Sequence, residues 1–97
     1  MTTPVVGLCT IEFHLPGMRS LKEKRGILKS MLARLRNTFN VSAAEVDHQD
    51  VWQSATIAIA VVSNSNVHVT QTINKVQQWI ENHFPDAIVV NQDVELL

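Results

Sequence analysis

The chain has 97 residues, of which 45% are hydrophobic, and a formal net charge of −1. This composition can form one compact domain over residues 1–97 without disulfides or a structural metal. No apolar run approaches the roughly 20 residues that span a bilayer, and the N-terminus lacks a signal-peptide pattern, so we expect a cytoplasmic protein without membrane contact.

The first half of the chain predicts a strand followed by an amphipathic helix. Residues 5–15 alternate apolar and other side chains, which makes Cys9 a core residue rather than a nucleophile. A Pro-Gly pair ends the strand, and Ser20 with Glu23 three residues later forms a capping box. The apolar face of the helix is predicted to comprise Leu21, Leu28, Leu32, Leu35 and Phe39.

The second half predicts two strands, a helix and a last strand. Residues 41–47 and 54–62 are rich in small and β-branched side chains, and the short polar break between them predicts an antiparallel hairpin. The Ser/Asn cluster at 63–66 precedes apolar residues at helical spacing through residues 69–84. A final strand is predicted from residue 87, continuing to residue 96.

The resulting element order is βαββαβ, which is typical of the α+β ferredoxin-like sandwich. Its four-stranded antiparallel sheet has the strand order 4-1-3-2. Right-handed crossovers place both helices on one face of the sheet and leave the other face open.

The charge of the chain is unevenly distributed. Residues 19–36 hold seven of the eight Lys/Arg residues against one acid, Glu23, for a net charge of +6. The rest of the chain has Lys75 against eight acids, for −7. This asymmetry favours an anionic partner for the basic segment. The alternative is a solvated helix face that is balanced by acids elsewhere in the fold.

The basic residues form a line along the predicted helix. Lys22, Lys29 and Arg36 lie within about 40° of one another, and successive members are about 10 Å apart along the axis. Arg25 lies beside this line. Cations at such spacing can follow a nucleic-acid backbone, and binding through them would depend on salt and be largely blind to sequence.

Further cations are concentrated at the helix N-terminus, where the macrodipole already creates positive potential. Because stability alone would place them at the opposite end, their position predicts a phosphate or other anion site next to the Gly-containing turn. Local salt bridges are the alternative. The predicted anion- or RNA-binding residues are Arg19, Ser20, Lys22, Lys24, Arg25, Lys29 and Arg36.

The open sheet face is predicted to carry no aromatic side chain, and Asp93 and Glu95 add negative charge near it. RNA-recognition motifs of the same topology stack bases on strand aromatics, so this mode of binding is not expected. A protein partner or a second copy of the chain suits the face better, which makes a homodimer an alternative. Trp52 and Trp79 are interpreted as packing anchors.

One polar segment, residues 45–50, could imitate a catalytic or metal site, because acids and an imidazole cluster on a predicted hairpin. Its spacing matches no metal-ligand pattern, and the chain has no nucleophile motif. We therefore expect no catalytic residue, no metal and no cofactor. A polar hairpin turn is the ordinary alternative, and a small enzyme using His48 with Asp47 or Asp50 is a third class.

Several motifs resemble the YlxP-like family of small uncharacterised bacterial proteins, over nearly the whole chain: SLKEKR from Ser20, NVS from Asn40 and EVDHQD from Glu45. The resemblance implies the same βαββαβ fold and supplies no established catalytic residues. Because the polar string is typical of the family, the resemblance also implies a partner contact at Glu45, Asp47, His48 and Asp50. Side-chain to backbone hydrogen bonds that fix the hairpin are the alternative. The resemblance further implies a gene that in many bacteria lies among those for transcription-elongation, translation-initiation and ribosome-maturation factors. The leading hypothesis is a non-enzymatic factor that binds RNA or a ribonucleoprotein, such as a ribosomal subunit.

Overall fold

A computed structural model of the chain describes residues 3–47 and 51–97. The six elements in chain order are β1 (Val5–His14), α1 (Leu21–Thr38), β2 (Ser42–Asp47), β3 (Ser54–Ser63), α2 (Asn66–His83) and β4 (Ile88–Leu96). The predicted βαββαβ order is confirmed.

The four strands form one antiparallel sheet with the order β2-β3-β1-β4, which is the predicted 4-1-3-2 arrangement. Strands β2 and β4 are the edges. Alternate residues of β1, from Gly7 to Phe13, are buried beneath the helices, while the residues between them face the open side. The ferredoxin-like α+β fold is therefore confirmed.

Both helices begin at a serine cap. The Ser20 Oγ accepts a hydrogen bond of 3.1 Å from the Glu23 N–H, and the Ser65 Oγ accepts one of 3.3 Å from the His68 N–H. Each bond satisfies one of the backbone donors that a helix start leaves without a partner. Helix α2 ends two residues before Pro85, a residue that cannot continue a helix.

The core lies between the helices and the covered face of the sheet. On α1 the buried positions are 24, 28, 31 and 35, so the helix packs with a 4-3-4 spacing. Three of these residues are apolar, but the first is Lys24. Leu21 and Leu32, which the sequence placed on the core face, are only partly buried.

Helix α2 packs closely against β1 at Gly7. A Cβ atom at this position would overlap Val69 Cγ1 and would lie 3.0 Å from Ile73 Cδ1. Close packing of α2 on the sheet thus depends on the absence of a side chain at residue 7.

Candidate functional site

Helix α1 and the residue before its cap expose a set of cations, namely Arg19, Lys22, Arg25, Lys29, Arg34 and Arg36. Taking about 100° and 1.5 Å per residue, the basic stripe formed by Lys22, Arg25, Lys29 and Arg36 covers about 60° of the helix and about 21 Å of its length. Glu23 is the one acid of α1, and it is rotated about 100° from Lys22, away from the stripe. The stripe is therefore not interrupted by an acid of its own helix.

The C-terminal end of the basic stripe lies against edge strand β2. The Arg36 Nη1 donates a hydrogen bond of 2.8 Å to the Ala43 carbonyl oxygen. This contact fixes the orientation of α1 and covers a carbonyl at the sheet edge, where unpaired backbone groups invite pairing with another chain.

Arg34 lies on the opposite side of α1 and belongs to the contact between the helices. Its guanidinium carbon is 5.2 Å from the ring centroid of Trp79 and 5.1 Å from that of Phe84. Trp79 also makes an edge-to-face contact with Phe39, at a centroid distance of 6.4 Å. Trp79 is thus a packing residue, as predicted, and Arg34 stabilises this cluster by cation–π contact.

Lys24 does not join the exposed cations, although the sequence placed it in the anion-binding set. Its side chain is 0% exposed, and its ammonium donates hydrogen bonds to the carbonyl oxygens of Val51, at 2.6 Å, and Ser54, at 2.9 Å. The ammonium is also 3.0 Å from the Glu45 Oε2. The physical reason is its position in the 4-3-4 core spacing, which directs this side chain inward.

The predicted partner contact around Glu45 has a different arrangement in the structure. Glu45 pairs with Ile57 on the covered side of the sheet, and its side chain, 18% exposed, is directed towards Lys24. Asp47 ends β2 as an exposed residue. His48 and Asp50 lie outside the described residues.

The segment 51–54 is held against two neighbouring parts of the fold. Lys24 binds the carbonyls of Val51 and Ser54, and the Leu15 N–H donates a hydrogen bond of 2.8 Å to the Gln53 carbonyl. Trp52 in the middle of the segment is nevertheless 48% exposed. Its interpretation as a packing anchor is wrong.

A cleft of about 550 Å³ lies beside the N-terminus of α1. Its lining includes the apolar residues Leu15, Met18 and Phe84 and the acids Glu23 and Asp86. The Ser20 hydroxyl, which the sequence placed both at the helix cap and at the anion site, caps the helix. Acids disfavour phosphate binding, so the exposed cations of α1 are a better candidate for an anion site than this cleft.

The open sheet face has the composition that the sequence predicted. Within it, Leu8 pairs with Ala60 and Thr10 with Ala58, while β4 places Asp93 opposite Thr10 and Glu95 opposite Leu8. The aromatic residue of β1, Phe13, lies on the covered side and is fully buried. The strands therefore present small and aliphatic side chains and acids rather than a stacking surface.

The described residues also bear on chemistry and membrane contact. Burial raises the pKa of the Cys9 thiol, although a hydrogen bond from Gln77 opposes the shift, so the thiol is neutral in the core at physiological pH.

In residues 3–47 and 51–97 no three His, Cys, Asp or Glu side chains gather as they would around a metal ion. Neither helix in these ranges has the length and apolar character needed to cross a membrane.

Comparison with known proteins gives one family and one relative of similar length. Residues 6–94 match the model of a family described as "Protein of unknown function (DUF503)". The chain is 39% identical over 82 residues to "Uncharacterized protein YlxP" of Bacillus subtilis (strain 168), covering 84% of this chain and 88% of that protein. Among solved structures, "De novo designed protein Foldit4" is similar with a TM-score of 0.56 and 10% identity, covering 98% of this chain and 97% of the other. At this low identity, the structural similarity shows the fold alone.

Proposed function

Because the chain belongs to the DUF503 family, whose function is unknown, we propose a function from the surface that its fold displays. The resemblance to the YlxP-like family is confirmed by the same comparison. We propose that the protein is a non-enzymatic factor that binds RNA, free or within a ribonucleoprotein such as a ribosomal subunit, through the basic stripe of α1.

The observation that carries the proposal is that exposed cations are grouped on one side of α1. The four cations of the basic stripe are exposed on one side of the helix, and core packing does not require them there. Two other cations of the segment are accounted for by structure, since Lys24 pairs internally and Arg34 packs on the helix-contact aromatics. Arg36 also has a structural contact, to the Ala43 carbonyl. Lys22, Arg25 and Lys29 are therefore the stripe cations for which the described residues give no structural role.

The nearby acid Glu45 does not cancel this positive surface. Its carboxylate is engaged by Lys24 beneath the helix, so the two charges offset each other away from the stripe. A polyanion that follows α1 would meet Lys22, Arg25, Lys29 and Arg36 in succession, and neutralising its phosphates would release counterions. Such binding is largely independent of sequence, and the ribosomal partner is suggested by the gene neighbourhood that the family resemblance implies.

The salt dependence of RNA binding tests the proposal. A structured RNA hairpin is titrated at 50, 100 and 200 mM KCl, and we expect log K to fall with log salt with a slope of about −3, because four phosphate contacts each contribute about 0.7 to 0.9. Absence of binding at 50 mM KCl, or an affinity that salt does not change, would contradict the proposal.

A homodimeric interaction module without nucleic-acid binding is the second candidate. The observation in its favour is charge complementarity, since the basic stripe of one copy could meet the face that carries Asp93 and Glu95 on another. Light scattering at low salt separates the two candidates. If the mass measured by light scattering at high protein concentration is that of one protomer, the dimer is excluded.

A further inference from the structure

We infer that Trp52 is a stacking platform for an unpaired base, so that the RNA held by the basic stripe is engaged through a single-stranded segment. The inference rests on the proposed function and adds to it a class of ligand and a binding residue. Three observations carry it: the exposure of Trp52, the way its segment is held, and its position beside α1.

The exposure of Trp52 is unusual for its side-chain chemistry. A tryptophan can bury 150–250 Å² of surface and stabilises a core strongly, so folds rarely leave one in solvent. Trp79 of this chain shows the ordinary outcome, because it packs against Phe39, Phe84 and Arg34. Trp52 remains 48% exposed, so its indole has surface available for a ligand.

Backbone bonds on both sides of Trp52 hold it in place. The preceding carbonyl, of Val51, accepts from Lys24, and the following one, of Gln53, accepts from the Leu15 N–H. Lys24 is itself buried and pairs with Glu45, so the anchor does not depend on solvent-exposed side chains. Because these bonds fix the backbone on both sides of Trp52, stacking does not have to order the segment that carries the indole.

The segment 51–54 lies against the first turns of α1, because Lys24 binds two of its carbonyls. Lys24, which binds this segment, faces the core, and Arg25, rotated about 100° from it, is the member of the stripe nearest to it around the helix. In the inference, an RNA backbone passes from the stripe at Arg25 around this side of α1 to Trp52. Aromatic side chains next to cations along a backbone path are the usual chemistry of single-stranded nucleic-acid binding, and stacking tolerates any base.

The test compares two RNA probes, an unstructured 12-nucleotide pyrimidine RNA and a 12-base-pair RNA duplex. In a Trp79→Phe protein, Trp52 is the one remaining tryptophan, and we expect the single strand to quench its fluorescence. Trp52→Ala should weaken single-strand binding about 5- to 100-fold and leave duplex binding within about twofold, whereas Trp52→Phe should retain most of the affinity. Thermal unfolding of each variant confirms that the fold is kept.

The outcomes distinguish this inference from the proposed function. If wild-type protein binds both probes in a salt-dependent manner but Trp52→Ala binds the single strand as tightly, or the fluorescence is unchanged, the stacking role is wrong and the basic stripe stands. Equal weakening of both probes by Trp52→Ala also overturns stacking, because it indicates a structural effect. If wild-type protein binds neither probe at 50 mM KCl, the proposed function fails and the inference fails with it.

Discussion

Lys24→Met is expected to lower the free energy of unfolding by about 3 kcal/mol or more, measured by urea denaturation. Lys24 is fully buried, and its ammonium contacts the Glu45 carboxylate and two backbone carbonyls. Removing the ammonium leaves a largely buried negative charge and two carbonyls without this donor, and each unsatisfied group carries a desolvation penalty. The methionine fills similar volume, so the loss reflects electrostatics rather than a cavity.

Two further variants identify the origin of this loss. Lys22→Met makes the same chemical change on an exposed position of the same helix, and we expect it to alter the stability by less than about 0.5 kcal/mol. The double change Lys24→Met with Glu45→Met should recover part of the loss, because replacing both partners of a buried pair by apolar groups is far less costly than removing one. Equal effects of Lys24→Met and Lys22→Met would contradict the buried ion pair.

Gly7→Ala should destabilise the protein by about 1–3 kcal/mol, because it overpacks the contact between α2 and β1. The added Cβ would overlap Val69 Cγ1, and Val69 is a fully buried β-branched residue with little freedom to turn away. Helix α2 would have to shift outward to accommodate it. Thermal or urea unfolding of the variant measures the effect.

Gly26→Ala is the matched control for Gly7→Ala. Gly26 lies on the exposed side of α1, and a Cβ atom there meets nothing within 4 Å. Since alanine favours a helix over glycine by about 1 kcal/mol, this variant should be more stable than the wild type. A loss of stability in Gly26→Ala, or a gain in Gly7→Ala, would contradict the packing described for these two positions.

The fold could be predicted from sequence because its local signals agree with one another. Ser20 and Ser65 mark the helix starts, and alternation along β1 places Cys9 and Phe13 on the buried face. Loop lengths and handedness then leave few arrangements of the six elements. Agreement of this kind at several levels is typical of sequences that specify one fold.

The burial of Lys24 could not be predicted as easily. Lysine is almost never fully buried, and the exposed cations around it made a surface role the natural interpretation. The 4-3-4 spacing of Lys24 with Leu28, Met31 and Leu35 was a usable signal, since these positions form one face of the helix. Its partner Glu45 lies on a strand, and only the three-dimensional packing of α1 over β2 brings the two together.

Trp52 could not be placed from sequence for a related reason. A single tryptophan after a polar turn gives no periodicity, so the general preference of tryptophan for the core decided its interpretation. Its actual exposure depends on how Lys24 and Leu15 hold the flanking carbonyls. Both errors concern the same place, the junction between α1 and segment 51–54, where a polar anchor replaces apolar packing.

The most direct test of the basic stripe compares Lys29→Glu with Lys75→Glu in RNA titrations at 50 mM KCl. Both residues are exposed lysines on helices, and Lys75 is the one Lys or Arg outside residues 19–36, so the two variants carry the same net charge. We expect Lys29→Glu to weaken binding of a structured RNA roughly tenfold or more and to reduce the salt slope by about 1, because a charged contact is lost. Lys75→Glu should weaken binding less than about twofold, since net charge alone acts weakly at a distance. Equal effects of the two variants would show that RNA does not bind through the basic stripe.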